Sequence, residues 1–509
     1  MNPTLSLRTT KRLVTIAAVF LAACSSGQRH SGPSTTIIWP DASRVPVPPV
    51  RPAPVVLAPA PLPPAPVIVT PQPQLPPVVV RAPAPPPPAI VAPPTPALPI
   101  APAPTRMAGL KGRMIVGYQG WFGCPGDAPG NQNWEHWFFN NKPDAANLSV
   151  DMLPSVKGIA DEDLCPTGLT RADGTPIKLF SSQNPRVVAQ HFRLMREHGI
   201  DGAAVQRFVG PLAYAHLKPR SDRAVQNARL AAEASGRAFY ISYDVTGSEP
   251  ATVLNQIRAD WQFLVNDLKL TASPNYLHDK GKPVLQLWGF GFKERPDQAA
   301  AVLGLMQELK AGRGGLAAAT LIGGVPSNWR TLDADSNSHP DWAVVYRSFD
   351  VISPWSVGRF GTDSGADNFA RTRITPDVAE TRRLGIGYMP VVFPGFSWYN
   401  LKKGRGESAP VNQIPRRCGN FMWRQITNAL EARVDTLYAA MFDEVDEGTA
   451  LFPVETRAES VPKSGATQYL NQDGCTLPED WYLRLTGTAA QHLKAQRLPV
   501  RELGRVMQP

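Results

Sequence analysis

Two groups of carboxylates stand out in this chain by position and company. The run Asp443-Glu444-Val445-Asp446-Glu447-Gly448-Thr449 packs four acids into five residues, directly after an apolar, β-rich stretch at 436–442. Asp244 stands alone at the end of a second such stretch, 238–244. Crowded acids raise one another's pKa, so one can stay protonated near neutral pH while another is ionised. Hydrolysis of a glycosidic bond uses such a pair: one carboxyl protonates the leaving oxygen and the other acts as base or nucleophile. If the acidic run begins extended, Asp443 and Glu447 share one side and Glu444 and Asp446 the other. A Ca²⁺ site and a solvated acidic loop are the competing readings of the cluster.

The elements that must position these acids follow from the pattern around them. Short β-branched runs alternate with helical stretches, which signals βα units and a parallel sheet. Strands are expected at 114–118, 202–206, 238–244, 283–288, 320–324, 349–353, 387–393 and 436–442. Helices are clearest at 187–198, 251–268, 297–309 and 421–432. Eight strands with their helices predict one closed (β/α)8 TIM barrel over 107–509. The alternative, an open doubly wound sheet, lacks a glycine-rich phosphate loop after its first strand. Residues 123–178 have no strong periodicity and form a long first βα loop, of the kind that is functional or disordered.

In such a barrel the chemistry sits at the C-terminal strand ends. Both acid groups fall there, together with many aromatics and amides. Tyr118, Trp121, His136, Gln206, Trp288, Trp355 and Trp398 are the candidates to line sugar subsites, with Asp443 and Asp446 beside them. Aromatic faces suit the apolar faces of sugar rings, although any one of these side chains could instead cap the barrel core. Asp244 is expected to be one catalytic carboxyl, and Glu447 or Glu444 the other. No metal or cofactor is required.

The N-terminal part reads differently. Arg8, Lys11 and Arg12 precede an apolar run that ends Leu21-Ala22-Ala23-Cys24, too short to span a bilayer but suited to a signal peptide. The pattern resembles a bacterial lipobox: residues 1–23 would be removed and Cys24 lipidated. Ser25 and Ser26, with no Asp after Cys24, favour the outer membrane. Residues 24–106 then form a linker, in which 45–105 hold 25 of the 54 prolines. That density favours a disordered, solvated polyproline II stalk over a packed core, with a reach on the order of 190 Å. Residues 1–106 carry eight basic and one acidic side chain, so +7 of the net +10 lies there and +3 on the body. The basic pI therefore gives no support for a nucleic-acid-binding fold. The expected partners are a glycan and a membrane reached through Cys24, with the body a monomer. Cys124, Cys165, Cys418 and Cys475 remain, an even number suited to two disulfides, with Cys124–Cys165 and Cys418–Cys475 the nearest pairs in sequence. A zinc site is the rival, without a CxxC spacing to support it.

Four stretches carry a family resemblance. They are Val116-Gly-Tyr-Gln-Gly-Trp-Phe122, Tyr388-Met-Pro-Val-Val-Phe-Pro-Gly-Phe-Ser-Trp398, Ala440-Met-Phe-Asp-Glu-Val-Asp-Glu-Gly-Thr449 and Asp480-Trp-Tyr-Leu-Arg-Leu-Thr-Gly487. The body resembles bacterial proteins grouped with glycoside hydrolase families 71 and 99, the α-1,3-glucanases and endo-α-mannosidases, some of whose relatives are labelled xylosidase/arabinosidase. The resemblance spans nearly all of 113–494 and implies a (β/α)8 barrel with 480–487 in its closing helix. Residues 118–123, followed by Trp134, His136 and Trp137, look like the endo-mannosidase first strand and its downstream Trp-x-His-Trp. Glu444, Glu447, Gly448 and Thr449 match that family's Asn-Glu-Trp-His-Glu-Gly-Thr, with Asp443, Val445 and Asp446 replacing Asn, Trp and His. Tyr243-Asp244 departs from its Glu-Pro-Tyr and is closer to the glucanase Ser-Phe-Asp, so one acid stands where the endo-mannosidases place two. The resemblance thus implies an O-glycosyl hydrolase of an α-linked or pentose-containing polysaccharide. A glycan-binding protein on a decayed enzyme scaffold is the second reading, and a cell-wall anchor the third.

Overall fold

The computed structural model describes residues 106–463 and 465–508. The leader, Cys24 and the proline-rich stalk lie outside the described residues. Eight parallel strands run in chain order around the body: β1 (Met114–Tyr118), β2 (Gly202–Phe208), β3 (Ala238–Asp244), β4 (Lys282–Trp288), β5 (Thr320–Val325), β6 (Val351–Pro354), β7 (Gly387–Tyr388 with Val391–Val392) and β8 (Leu437–Ala439). β1 pairs with both β2 and β8, Met114 opposite Leu437 and Ile115 opposite Gly202.

β7 closes the circuit in two halves. Gly387–Tyr388 pairs with β6, and Val391–Val392 pairs with β8. Between them the Met389 amide donates to the Ile352 carbonyl (2.8 Å) and the Tyr438 amide to the Pro390 carbonyl (3.1 Å). Pro390 has no N–H to give, so the continuous strand expected at 387–393 is split there. β8 is also shorter than the expected 436–442. After Ala439 the chain folds back on itself, with the Met441 amide donating to the Thr449 carbonyl (3.2 Å).

Each strand is followed by helix. Pro185–Glu197, Lys218–Ser235, Val253–Asn266, Ala299–Ala311 and Asp341–Arg347 come first, then Asp363–Phe369 with Thr375–Leu384, Asn420–Glu431 and Trp481–Ala495. The first begins at Pro185, where a missing N–H costs nothing, and the Asn184 side chain accepts the Arg186 amide (2.9 Å) as its cap. The long loop after β1 is ordered. It contains an antiparallel hairpin, Leu164–Thr170 with Pro176–Phe180, that the aperiodic sequence did not announce. Cys124–Cys165 and Cys418–Cys475 are bonded as expected, with Cα separations of 6.5 and 5.9 Å. No described helix is long and apolar enough to cross a membrane.

Strand alternation sorts side chains between the barrel interior and the helix layer. On β2, Arg207 points outward and is 1% exposed. Its Nε and Nη2 donate to the two carboxylate oxygens of Asp260 (2.6 Å each), and Nη2 also donates to Asp222 (2.6 Å). The Tyr243 hydroxyl from β3 donates to Asp260 as well (2.7 Å). This buried pair ties the strands that carry Gln206 and Asp244 to the helix behind them. Removing one partner leaves a buried charge uncompensated. Arg207→Met is therefore expected to cost about 3–5 kcal/mol in urea unfolding, with part of that recovered when Asp260→Leu is added. An unchanged unfolding midpoint in the single variant would contradict this account.

Candidate active site

The acids gather at the C-terminal mouth of the barrel, and all of them are buried. Asp443 is fully inaccessible. Its Oδ1 accepts the Gln119 amide (2.8 Å) and its Oδ2 the Gly120 amide (2.9 Å). Expected to contact substrate, Asp443 instead spends both oxygens on backbone, stitching the end of β8 to the end of β1. Burial raises its pKa to about 7, against the pull of those amides. Glu444 accepts the Gln119 side-chain amide through Oε2 (3.0 Å). Burial, then the charges of Glu447 and Asp446, push its pKa well up.

Glu447 is 3% exposed, and its Oε1 has no hydrogen-bond partner among the described residues. Burial, reinforced by Asp446 and Asp244, raises its pKa to about 8, against the opposing charges of Arg405 and Lys402. Asp244 is likewise 3% exposed. Its Oδ1 accepts the Thr246 amide (2.8 Å) and its Oδ2 the Gln206 side-chain amide (3.0 Å). Burial raises its pKa, while Thr246, Arg295 and Gln206 oppose the rise. The two carboxyls differ in company. Asp244 is hydrogen-bonded by donors, which favour the ionised form. Glu447 feels the acids Asp446 and Asp244 as well as the opposing Arg405 and Lys402, and burial favours its protonated form. The condition that 443–447 begin extended is not met. The segment turns, with the Thr449 amide donating to the Glu444 carbonyl (3.1 Å), so the acids are not divided between two strand faces.

The aromatic candidates separate into mouth and core. Trp121 stacks on His136 (3.9 Å between centroids, 9° between planes) and on Phe208 (5.3 Å, 18°). His136 Nδ1 lies 3.7 Å from Asp446. Trp288, beside Asp244 in register, meets Trp355 edge-on (5.3 Å). Trp398 lies in the loop after β7 with the Lys402 ammonium 4.3 Å above its ring. Tyr118 corrects the expectation of a subsite residue. Its ring packs outward on Phe192, and its hydroxyl meets His191 Nδ1 (3.0 Å), because alternation turns Gly117 and Gln119 inward and Tyr118 to the helix layer. Trp134 and Trp137 are also core, the latter donating to the Phe180 carbonyl (3.0 Å).

Several residues of the site gave no signal in the sequence. Asp151, inside the aperiodic loop, accepts from the Ser397 hydroxyl (2.5 Å) and the Tyr399 and Asn400 amides (2.7 Å each). It pins the β7 loop against the β1 loop, and burial lifts its pKa to about 6. Arg416 donates to the carbonyls of Gly448 (2.9 Å) and Ala450 (2.8 Å), holding the acid-bearing turn from behind. Arg295 donates to the Thr246 hydroxyl (2.8 Å), one residue pair from Asp244. Among the described residues, no group of His, Cys, Asp or Glu is arranged to hold a metal ion. Cavities of about 340 and 350 Å³ open elsewhere on the body, the first near Lys111 and Asp435 at the opposite end of the strands, the second near Gln190 and Glu479.

The fold has counterparts among solved structures. A family 99 endo-α-mannosidase from Bacteroides thetaiotaomicron, in complex with bis-tris propane, aligns with a TM-score of 0.52 over 76% of this chain and 98% of that one, at 17% identity. A second structure of that family 99 enzyme gives 0.52 over 76% and 99%, at 15% identity. The chain shares their barrel fold. No family model and no curated protein matches the sequence.

The raised pKa of Glu447 has a consequence for stability. A carboxyl that holds its proton more tightly folded than unfolded favours the folded state most below its ordinary value of 4.5, and that advantage is lost as pH rises through about 8. Glu447→Gln removes the loss. Its melting temperature is expected to equal the wild type's at pH 4 and to exceed it by at least ~2 °C at pH 9. Parallel melting curves across that range would show that Glu447 titrates normally.

Proposed function

We propose that the barrel is a glycoside hydrolase in which Glu447 is the general acid and Asp244 the partner carboxylate. The observation that carries this reading is the contrast between the two. Both are buried at the barrel mouth, and the charge of Asp244 reaches Glu447. Yet Asp244 is held by donors, while Glu447 lies beside Asp446 with its Oε1 unpartnered among the described residues. The charges of Arg405 and Lys402 only partly offset the rise in its pKa. In this reading Glu447 gives its proton to the glycosidic oxygen as the bond to the anomeric carbon breaks. Asp244 acts on the opposite side, as base toward water or as nucleophile at that carbon. Trp121 with His136, Trp288 with Trp355, and Trp398 offer ring faces for sugars, and Gln206 orients Asp244. The shared fold with an endo-α-mannosidase supports the reaction class, and α-linked or pentose-containing glycans are the first substrates to try.

The test is reducing-sugar release by the purified protein from α-mannans, α-glucans, arabinans and xylans, with Asp244→Asn and Glu447→Gln alongside. Each variant is expected to lose at least ~100-fold in rate, and the wild-type rate to fall as pH rises through about 8, where Glu447 gives up its proton. Full activity in both variants would remove the assignment. Glycan binding without release would make the protein a glycan-binding one.

We further propose that lipid at Cys24 holds the barrel at the outer membrane on the proline-rich stalk. Cys24→Ser is then expected to move the protein from the membrane fraction to the soluble one. Retention in the membrane would overturn this placement.

A further inference from the structure

The turns that follow β3 and β4 line an open cavity of about 180 Å³ that begins at Val245, the residue after Asp244. We propose that this cavity is a subsite for a sugar bearing an anionic oxygen group, a carboxylate or a sulfate ester, anchored by Arg295. The proposal deepens the glycosidase reading and rests on it for the sugar itself.

Size sets the first bound. The cavity is several times the ~30 Å³ share of one water, so it suits a single ring or a ring substituent rather than an oligosaccharide. Its lining is largely apolar, from Val245, Pro250, Val253, Phe290 and Pro296. Such a wall offers a surface for a ring face and leaves orientation to a few polar groups.

Those polar groups are mostly committed. The Gln298 amide donates to the Pro250 carbonyl (2.7 Å), and the Thr246 hydroxyl accepts from Arg295. Two are open. The Ser248 hydroxyl oxygen is buried without a partner among the described residues. Arg295 is the only cation in the lining, and one hydrogen bond, to Thr246, accounts for one of its five N–H groups. No carboxylate of the described residues forms an ion pair with it, although its charge already acts on Asp244. Glu294, the other charged residue of the lining, is exposed and does not pair with it.

A guanidinium fork over an apolar wall matches a carboxylate or sulfate in two-point contact, and a neutral hydroxyl leaves most of that capacity unused. The fork is also held in place. Its Nη2 bond to Thr246 fixes one edge, and its carbon lies 6.0 Å from the centre of the Trp288 ring. Gly289, with φ +104, keeps the opposite wall open. A Cβ there would stand 3.1 Å from Val245 and 3.7 Å from Arg295 Nη1. Thr246 joins this cavity to the reaction centre, since its backbone amide donates to Asp244. An anion on Arg295 would therefore place its sugar beside the carboxylate that acts on the anomeric carbon.

The test is calorimetric titration of the full chain with glucuronate, glucose 6-sulfate and methyl glucoside, repeated on Arg295→Met and Arg295→Lys. One or both anionic sugars are expected to bind at least ~10-fold more tightly than methyl glucoside. Arg295→Met should abolish that preference, and Arg295→Lys should keep part of it. Equal binding of the three sugars, no binding of either anion, or a preference that survives Arg295→Met overturns the proposal. If Arg295→Met does not fold, Arg295→Lys and Ser248→Ala decide. Weakened anion binding at an unchanged melting temperature supports the proposal, and unchanged anion binding in both refutes it. These monosaccharides carry no bond for the enzyme to cleave. Failure of the hydrolase reading would appear as no sugar release with anion binding intact, and failure here as sugar release without anion selectivity.

Discussion

The carboxylate of Asp443, taking the amide hydrogens of Gln119 and Gly120, is the contact on which the mouth of this barrel is built. It joins the last strand to the first at the level where the acids begin. These bonds are made out of water, where an amide left unpaired would cost its full desolvation penalty. From that stitch the Gln119 side chain reaches Glu444, and the turn that carries Glu447 folds back under it. Arg416 grips the same turn through the carbonyls of Gly448 and Ala450, and Asp151 fastens the neighbouring β7 loop. The acids are thus presented by a braced turn, not by the strand itself.

Bracing lets several carboxyls be buried together, and burial then separates their chemistry. Taking a carboxyl out of water disfavours its charge, so Glu447, Glu444, Asp443 and Asp244 are all raised. What distinguishes them is what each one faces. Asp443 faces two backbone amides, one on each oxygen. Asp244 faces an amide, a carboxamide and, through Thr246, a guanidinium. Glu447 faces Asp446 and retains an oxygen without a partner among the described residues. That contrast is the basis on which a proton donor and a carboxylate are proposed side by side.

The architecture was legible because strands and helices leave periodic marks. The eight β-rich runs fall where the strands form, and 238–244 matches to the residue. The strand expected at 349–353 forms from Val351, and the other two shortfalls have a physical cause. Pro390 cannot donate, so β7 breaks at it, and β8 stops at Ala439 because the chain must turn to bring Thr449 back to Met441. The aperiodic loop after β1 hid its hairpin because much of its order comes from partners distant in sequence. Asp127 meets Arg220, and Asp151 meets Ser397 and Asn400.

For the site, the sequence by itself determined which residue types stand at which strand ends: one acid after β3, four after β8, and aromatics around them. It also supplied the cysteines in the numbers and spacing at which they pair. Only the tertiary structure decided what each of these residues does. Whether an acid meets a backbone amide, a guanidinium or another acid depends on loops brought together by barrel closure across more than 300 residues, as for Gln119 and Asp443. Strand alternation turned Tyr118 into the helix layer, while closure brought Trp121, three residues on, against His136 and Phe208 at the mouth. Periodicity fixes the side of a strand, whereas desolvation and partner charge, which set a carboxyl's role, exist only once the chain has folded.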